Sequence, residues 1–146
     1  MTEKRRRRRI KLGDVYAIPL PNGKYAFGRR FKDAGIGIYK HIGQSIKDTP
    51  KTEDYQFIVG VYDSVLKSEH WTVVDNRPFE SEDDAFPPPQ CVIDQVYGKY
   101  SVYHKGIMRK ATKAECEGME IAAVWDEHHI IDRIMGKDKW HRDPQL

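Results

Sequence analysis

The chain has 146 residues, of which 39% are hydrophobic and 32% are charged, and its net charge is +3. This length predicts a single domain that buries ~68–70% of its unfolded surface, so it needs neither a metal ion nor a disulfide bond for stability. No apolar run reaches the ~7–15 residues of a signal peptide or the ~20 residues of a membrane helix. We therefore expect a cytoplasmic protein, without a membrane partner, whose two cysteines (Cys91 and Cys116) are reduced.

The positive charge is concentrated at one end of the chain. Residues 1–11 contain seven basic residues and one acid, which leaves 18 basic and 21 acidic residues, a net charge of −3, for the rest. We expect a basic, flexible arm over residues 1–11 and a single folded domain over residues 12–140. The arginines of the arm are consecutive: Arg5, Arg6, Arg7, Arg8 and Arg9.

The first predicted elements form a β-hairpin. Gly13–Leu20 and Lys24–Phe31 read as strands, joined at Asn22-Gly23. Asn and Gly tolerate the positive φ angles of a tight type I′ turn, so this pair is a strong hairpin signal. Gly35–Tyr39 is predicted to be a third strand, and the polar stretch His41–Asp54 is predicted to be a surface loop.

The middle of the chain predicts two strands and a long connection. Tyr55–Tyr62 is rich in aromatic and β-branched residues and is the best candidate for a central strand, and Trp71–Val74 is a shorter one. The connection over Asn76–Gln90 contains an acidic run, Glu80–Asp84, and then three prolines, Pro87–Pro89. The prolines favour an extended polyproline segment.

The last third of the chain changes from strands to helix. Cys91–Ile93, Tyr100–His104 and Ile107–Lys110 are predicted strands, and the last two are joined by a turn at Lys105-Gly106. Thr112-Lys113-Ala114-Glu115 fits a capping box. A helix over about residues 120–135, ended by Gly136, is predicted from apolar residues at three- and four-residue steps. These residues are Ile121, Val124, Trp125, His128, Ile131 and Met135.

Together these elements predict an α+β fold that is mainly β. We expect a small antiparallel sheet or a partly open barrel, with the C-terminal helix packed on it.

Sequence motifs for catalysis, metal binding or cofactor binding are missing. The chain contains no Gly-x-Ser-x-Gly elbow, no Walker loop and no Gly-x-Gly-x-x-Gly. His128-His129 stands near Asp126, Glu127 and Asp132, but the His-Glu-x-x-His pattern and zinc-finger cysteine spacing are absent. Cys116 could form a thiol–imidazole pair with His104 or His128, or be an inert buried cysteine. We therefore expect no enzyme activity, no metal and no cofactor.

Three features are candidates for binding another macromolecule. The Arg5–Arg9 run could contact nucleic-acid phosphates independently of sequence, or be a solvated arm. The acidic residues of the connection could engage a basic partner, or form an ordinary solvated loop. Trp71 and Tyr62 could form an exposed aromatic anchor, or belong to the core. The acidic candidates are Glu80, Glu82, Asp83 and Asp84.

The order of these elements resembles the bacterial immunity protein 26 family. The likeness begins with the hairpin over residues 11–29 and continues with a tryptophan followed by a basic, proline and acidic connection, Trp71 to Pro89. It continues with Gly98-Lys99-Tyr100-Ser101-Val102-Tyr103 and with residues 111–120, and it closes with a helix that bears His129-Ile130 and Arg133-Ile134. The resemblance spans about residues 10–135.

The resemblance implies a protein that neutralises a toxin of a polymorphic toxin system in the cytoplasm of the producing cell. It implies a cognate protein toxin as the partner and supplies no catalytic residues. Our leading hypothesis is inhibition by occlusion, with the acidic run Glu80–Asp84 at the contact. The alternative hypothesis is a small β-barrel that binds nucleic acid through the Arg5–Arg9 arm.

Overall fold

The computed structural model describes residues 9–137 and contains two β-sheets and three short α-helices within that range. The strands are β1 (Asp14–Pro19), β2 (Tyr25–Arg30), β3 (Gly35–Tyr39), β4 (Tyr55–Val61), β5 (Thr72–Asn76), β6 (Gln90–Ile93), β7 (Tyr100–His104), β8 (Ile107–Ala111) and β9 (Val124–Trp125). The helices are α1 (Asp63–Leu66), α2 (Lys113–Cys116) and α3 (Glu127–Ile134).

The larger sheet has the strand order β5-β1-β2-β3-β4-β9, and the smaller sheet has the order β6-β7-β8. All neighbouring strands are antiparallel except β4 and β9, which are parallel. The α+β, mainly β prediction is confirmed, and of its two alternatives the structure shows open sheets, because neither closes on itself. No helix among the described residues is long and apolar enough to cross a membrane.

The first hairpin is confirmed, but the predicted type I′ turn at Asn22-Gly23 is wrong. Only Gly23 has a positive φ, of 82°, and its N–H donates to the Leu20 carbonyl at 3.1 Å. Pro21 fixes the first turn position at a negative φ, so the turn starts one residue earlier and is followed by a left-handed glycine. The type I′ geometry occurs instead at Lys105 and Gly106, with φ of 53° and 80°.

The helix predicted over about 120–135 is also shorter than expected. It begins at Glu127 because the Asp126 side chain accepts a hydrogen bond from the Glu127 N–H and caps the helix. Residues 124–125 are extended and pair with β4 at Gly60. A Cβ added to Gly60 would lie only 2.7 Å from the Ala123 carbonyl oxygen, so glycine permits this close approach. Gly136, at a φ of 78°, ends the helix as predicted.

The large sheet buries side chains on both faces. Alternation along β2 directs Ala26 to the face covered by α1 and α3, and directs Phe27 to the opposite face. The core of the helix-covered face includes Tyr16, Ile18, Ile36, Ile38, Val59, Trp71, Trp125 and Ile130. The opposite face has a smaller core of Val15, Ala17, Phe27 and Tyr39. A third cluster lies under the small sheet and contains both cysteines.

Candidate interaction site

The acidic run lies on the surface, where a turn of 3-10 helix spans Asp83–Ala85. All four acidic candidates are exposed. The Glu82 carboxylate binds Lys32 Nζ at 2.7 Å, and Asp83 binds Lys105 Nζ at 2.9 Å. The Lys105 hydrogen bond and charge hold the pKa of Asp83 below its usual value. The carboxylates of Glu80 and Asp84 form no ion pair within residues 9–137.

An open cavity of about 630 Å³ lies between the acidic run and the less covered face of the large sheet. Aromatic rings and prolines form much of its lining, and three acidic candidates (Glu80, Asp83 and Asp84) also line it. The apolar lining residues include Phe31, Phe79, Phe86, Pro87 and Pro88. The cavity therefore combines apolar walls with carboxylates, a composition typical of binding sites.

A network of charged and phenolic groups centred on Glu53 lies at this cavity. Glu53 Oε1 accepts hydrogen bonds from the hydroxyls of Tyr39 at 2.6 Å and Tyr55 at 2.9 Å, and it lies 3.1 Å from Arg29 Nη1. Glu53 Oε2 accepts from Arg77 Nη1 at 2.8 Å. Burial would raise the pKa of Glu53, but the hydrogen bonds from Tyr39, Tyr55 and Arg77 and the charge of Arg29 lower it overall.

Arg29 connects this network to the start of the acidic connection. Arg29 is 7% exposed, and its guanidinium donates hydrogen bonds to the backbone carbonyls of Arg77 and Pro78. The same guanidinium lies 3.6 Å from the centroid of the Phe79 ring. Because the buried guanidinium binds consecutive residues, it fixes the backbone immediately before Glu80.

The other end of the acidic run is fixed as well. The Lys32 N–H donates to the Ala85 carbonyl at 2.8 Å. Pro87 is buried against Gly35, where an added Cβ would lie 2.7 Å from the proline Cγ. The run is therefore a short exposed segment held between two anchored points.

The two aromatic candidates lie elsewhere. Trp71 is 2% exposed and belongs to the core of the helix-covered face, and its Nε1 has no hydrogen-bond partner among the described residues. Tyr62 is 51% exposed and precedes α1. Neither residue lines the cavity beside the acidic run.

The residues that hold the site together are absent from the sequence-based candidates. Arg29, Glu53 and Arg77 are spaced 24 residues apart in the chain, and no charge pattern in the sequence links them. One signal was available: the alternation of Tyr25, Phe27 and Arg29 along β2 places Arg29 on a buried face. A charge at an inward position of a strand requires a partner, which the sequence does not name.

The histidine and cysteine candidates are also located. The rings of His128 and His129 are 4.0 Å apart, and within residues 9–137 no group of three or more His, Cys, Asp or Glu residues could hold a metal ion. Cys91 and Cys116 are both 0% exposed. Burial and the hydrogen bond and charge of Cys116 raise the pKa of the Cys91 thiol to about 12. Both cysteines belong to the same buried cluster under the small sheet.

These features define a mainly β α+β domain with an open cavity bordered by anchored acidic residues. The sequence model of one family, Immunity protein 26, matches residues 11–101. The chain belongs to this family, as the resemblance implied, and is thus an immunity protein, a role that indicates binding rather than catalysis. The match ends in β7, so the likeness of residues 111–135 lies outside it. No curated protein and no solved structure matches the chain.

Proposed function

We propose that this protein neutralises a cognate toxin of a bacterial polymorphic toxin system by binding it and covering its active or substrate-binding surface. Membership of the immunity protein 26 family supports the role in immunity. The observation that carries the proposed contact is the pair of unpaired carboxylates, Glu80 and Asp84, which line the open cavity within residues 9–137. The proposed place of action is the cytoplasm of the producing cell.

The geometry of the acidic run supports a basic toxin surface as the partner. Exposed carboxylates without a cation of their own attract a positive surface at long range and accelerate encounter. The run is anchored on one side by Arg29 and on the other by Pro87, so little conformational entropy is lost when it binds. The apolar cavity walls can then exclude water around the contact.

The aromatic candidates take different places in this proposal. Tyr62 is the proposed aromatic contact, because half of its surface is available. Trp71 would reach a partner only after a rearrangement of the core, since it is 2% exposed.

Association kinetics with purified cognate toxin test the acidic contact. Replacing Glu80, Glu82, Asp83 and Asp84 with Ser should weaken affinity several-fold, mainly through a slower association rate. The sharper variant is Glu80→Gln with Asp84→Asn, because it leaves the ion pairs of Lys32 and Lys105 intact.

The matched control is Glu117→Gln, compared with the single variant Glu80→Gln, because both carboxylates are exposed and form no ion pair within residues 9–137 and only Glu80 lines the cavity. The difference between these two single variants should shrink as salt increases, because screening weakens the long-range attraction. An unchanged association rate in the double variant Glu80→Gln with Asp84→Asn would remove the acidic run from the proposal. Failure of the wild-type protein to bind or inhibit the toxin would overturn the proposed function itself.

Nucleic-acid binding through Arg5–Arg9 is the alternative proposal. Residues 1–8 lie outside the described residues, and Arg9 is exposed. We propose a basic arm over residues 1–11 and a domain over residues 12–140, of which 138–140 also lie outside the described residues. The end of this arm contacts the domain, because Ile10 packs against the core of the helix-covered face and the Lys11 N–H donates to the Asp14 carboxylate. Deletion of residues 1–9 should leave the toxin complex unaffected. The alternative predicts DNA or RNA binding that falls steeply with salt and is lost on this deletion, which a filter-binding assay measures.

A further inference from the structure

The small sheet has an open edge at β8. This strand is the last in the order β6-β7-β8, and no other strand of the described chain pairs with its outer side. Residues 107–110 are exposed, with Ile107 at 70% and Met108 at 60%. An exposed strand edge with apolar side chains is a template for pairing with another chain.

The turn before β8 determines which backbone groups face outward. Lys105 and Gly106 have positive φ angles and form a two-residue loop between the paired residues His104 and Ile107. In a two-residue hairpin the residues that flank the loop exchange both hydrogen bonds, and bonded and non-bonded pairs then alternate. Met108 and Lys110 therefore direct their N–H and C=O groups to the open side of β8, where the Lys110 carbonyl accepts one long hydrogen bond, from Arg109 Nη1 at 3.4 Å, that an added strand would replace.

The charge beside this edge is positive. Lys99, Lys110 and Lys113 line a depression on the outer face of the small sheet, and none of the three forms an ion pair with a described residue. Asp94 also lines it, but its carboxylate accepts hydrogen bonds from the Val96 and Tyr97 N–H groups of the adjacent turn. The depression thus offers unpaired ammonium groups.

Two other occupants fit this edge less well. A second copy that paired antiparallel through the centre of β8 would place Arg109 opposite Arg109, and like charges directly opposite are destabilising. Single-stranded nucleic acid requires aromatic rings for stacking, and at this end of the sheet only Tyr97 is largely exposed among the described residues, at 76%. An extended peptide uses the outward backbone groups, and acidic side chains complement the lysines.

We infer that β8 binds an acidic, extended segment of a partner protein by strand addition. The main chain of the segment pairs with Met108 and Lys110, as in other complexes formed by strand addition. Carboxylates on its outer face lie beside Lys110 and Lys113, and apolar side chains on its inner face lie beside Ile107. The turn before β8 adjoins the acidic run, because Lys105 binds Asp83, but the inference does not depend on the Glu80–Asp84 contact.

Fluorescence anisotropy with the full chain tests the inference. The probe is a fluorescein-labelled octapeptide of alternating glutamate and valine, with blocked ends. We expect saturable binding that falls at least tenfold in Lys110→Pro, because proline removes an outward N–H without removing a bond to β7. Lys110→Gln keeps the backbone N–H and removes only the side-chain charge, so its affinity for the peptide should fall only a few-fold. Circular dichroism checks that the variants fold.

A second comparison needs no protein variant. The same peptide with every amide nitrogen methylated keeps its carboxylates but cannot donate to a strand, so its binding should be lost. Equal binding of the methylated peptide, or no saturable binding of the parent up to millimolar concentration, would overturn strand addition. Tighter binding of a thymidine oligonucleotide, or a dimer in sedimentation that Lys110→Pro dissociates, would overturn it in favour of nucleic acid or a second copy.

The acidic double variant separates this inference from the proposed function. Glu80→Gln with Asp84→Asn should leave peptide binding unchanged even where toxin binding is weakened. A parallel loss of peptide binding in that variant would show that the lysine edge is not an independent site and would overturn the inference.

Discussion

Replacing Glu53 with Gln should destabilise the protein by about 2–3 kcal/mol at pH 7. The substitution keeps the shape of the side chain and removes the charge that Arg29 and Arg77 share. Hydrogen bonds to charged groups contribute roughly 1.5–3 kcal/mol each and are not additive. The side chain of Glu53 is 40% exposed, so water replaces part of the loss and the total stays near that of one such bond.

The pH dependence of this loss identifies its cause. The hydrogen bonds of the network lower the pKa of Glu53 in the folded state, so the ionised carboxylate stabilises the fold above its unfolded pKa of about 4.3. That stability is lost as the pH falls through the lower pKa of the folded state. The difference between wild type and Glu53→Gln should therefore be largest near neutral pH and should shrink as the pH falls below about 4.

Urea unfolding of both proteins from pH 7 down to pH 3 measures this difference, and thermal unfolding should show a decrease in Tm of roughly 4–12 °C at pH 7. Glu117→Gln, at an exposed surface position, is the control and should stay within about 0.5 kcal/mol of wild type. A loss that is equally large at pH 3 would refute the electrostatic reasoning, because the neutral acid and the amide then differ for another reason. A loss under about 0.5 kcal/mol at pH 7 would show that the network does not hold the fold.

Three further predictions concern backbone approach, thiols and capping. Gly60→Ala should destabilise the protein by more than about 1 kcal/mol in urea unfolding, because its Cβ would lie 2.7 Å from the Ala123 carbonyl and push β9 from β4; wild-type stability would contradict this close approach. Cys91 and Cys116 should not react with a thiol reagent at pH 8 in the native state and should both react after denaturation, since both are 0% exposed; rapid native reaction would contradict their burial. Thr112→Ala should cost about 1 kcal/mol, because the hydroxyl accepts from the Glu115 N–H at the start of α2; an unchanged urea midpoint would show that the cap does not contribute.

Strands defined by local chemistry were predicted well. Gly35–Tyr39 and Tyr100–His104 have the predicted bounds, because turns and alternating apolar residues delimit them within a few residues. The same holds for the capping box at Thr112 and Glu115. Information carried by neighbours in the chain is sufficient for elements of this kind.

The start of α3 shows where local periodicity misleads. Val124 and Trp125 fit the apolar stripe of a helix, but they pair as a strand with β4, more than 60 residues earlier in the chain. Nothing near Trp125 announces that pairing, which depends on the missing side chain of Gly60. The cap at Asp126 was a local signal for the true start, and the helical periodicity extended past it.

One part of the candidate site is also visible in the local sequence, and the other part depends on contacts between distant residues. The acidic run was visible because its carboxylates are consecutive, whereas the network behind it joins residues 24 and 48 positions apart, Glu53 with Arg77 and Arg29 with Arg77. Such contacts follow from the sheet register and from the path of the connection, which hydrophobic patterns do not specify. The consecutive carboxylates are therefore predictable from the sequence, whereas the network that positions them, with the buried Arg29, is not.

Because burying a charge is costly, the buried guanidinium of Arg29 is better explained by its effect on backbone position than by its effect on stability. A buried charge often stabilises a fold less than an apolar residue of the same size would, so stability alone does not explain the buried guanidinium of Arg29 behind the acidic run. Apolar packing is non-directional, whereas a guanidinium in this position fixes two particular carbonyl groups, those of Arg77 and Pro78. A segment that must present carboxylates to a partner at one defined place needs directional hydrogen bonds more than it needs additional apolar packing.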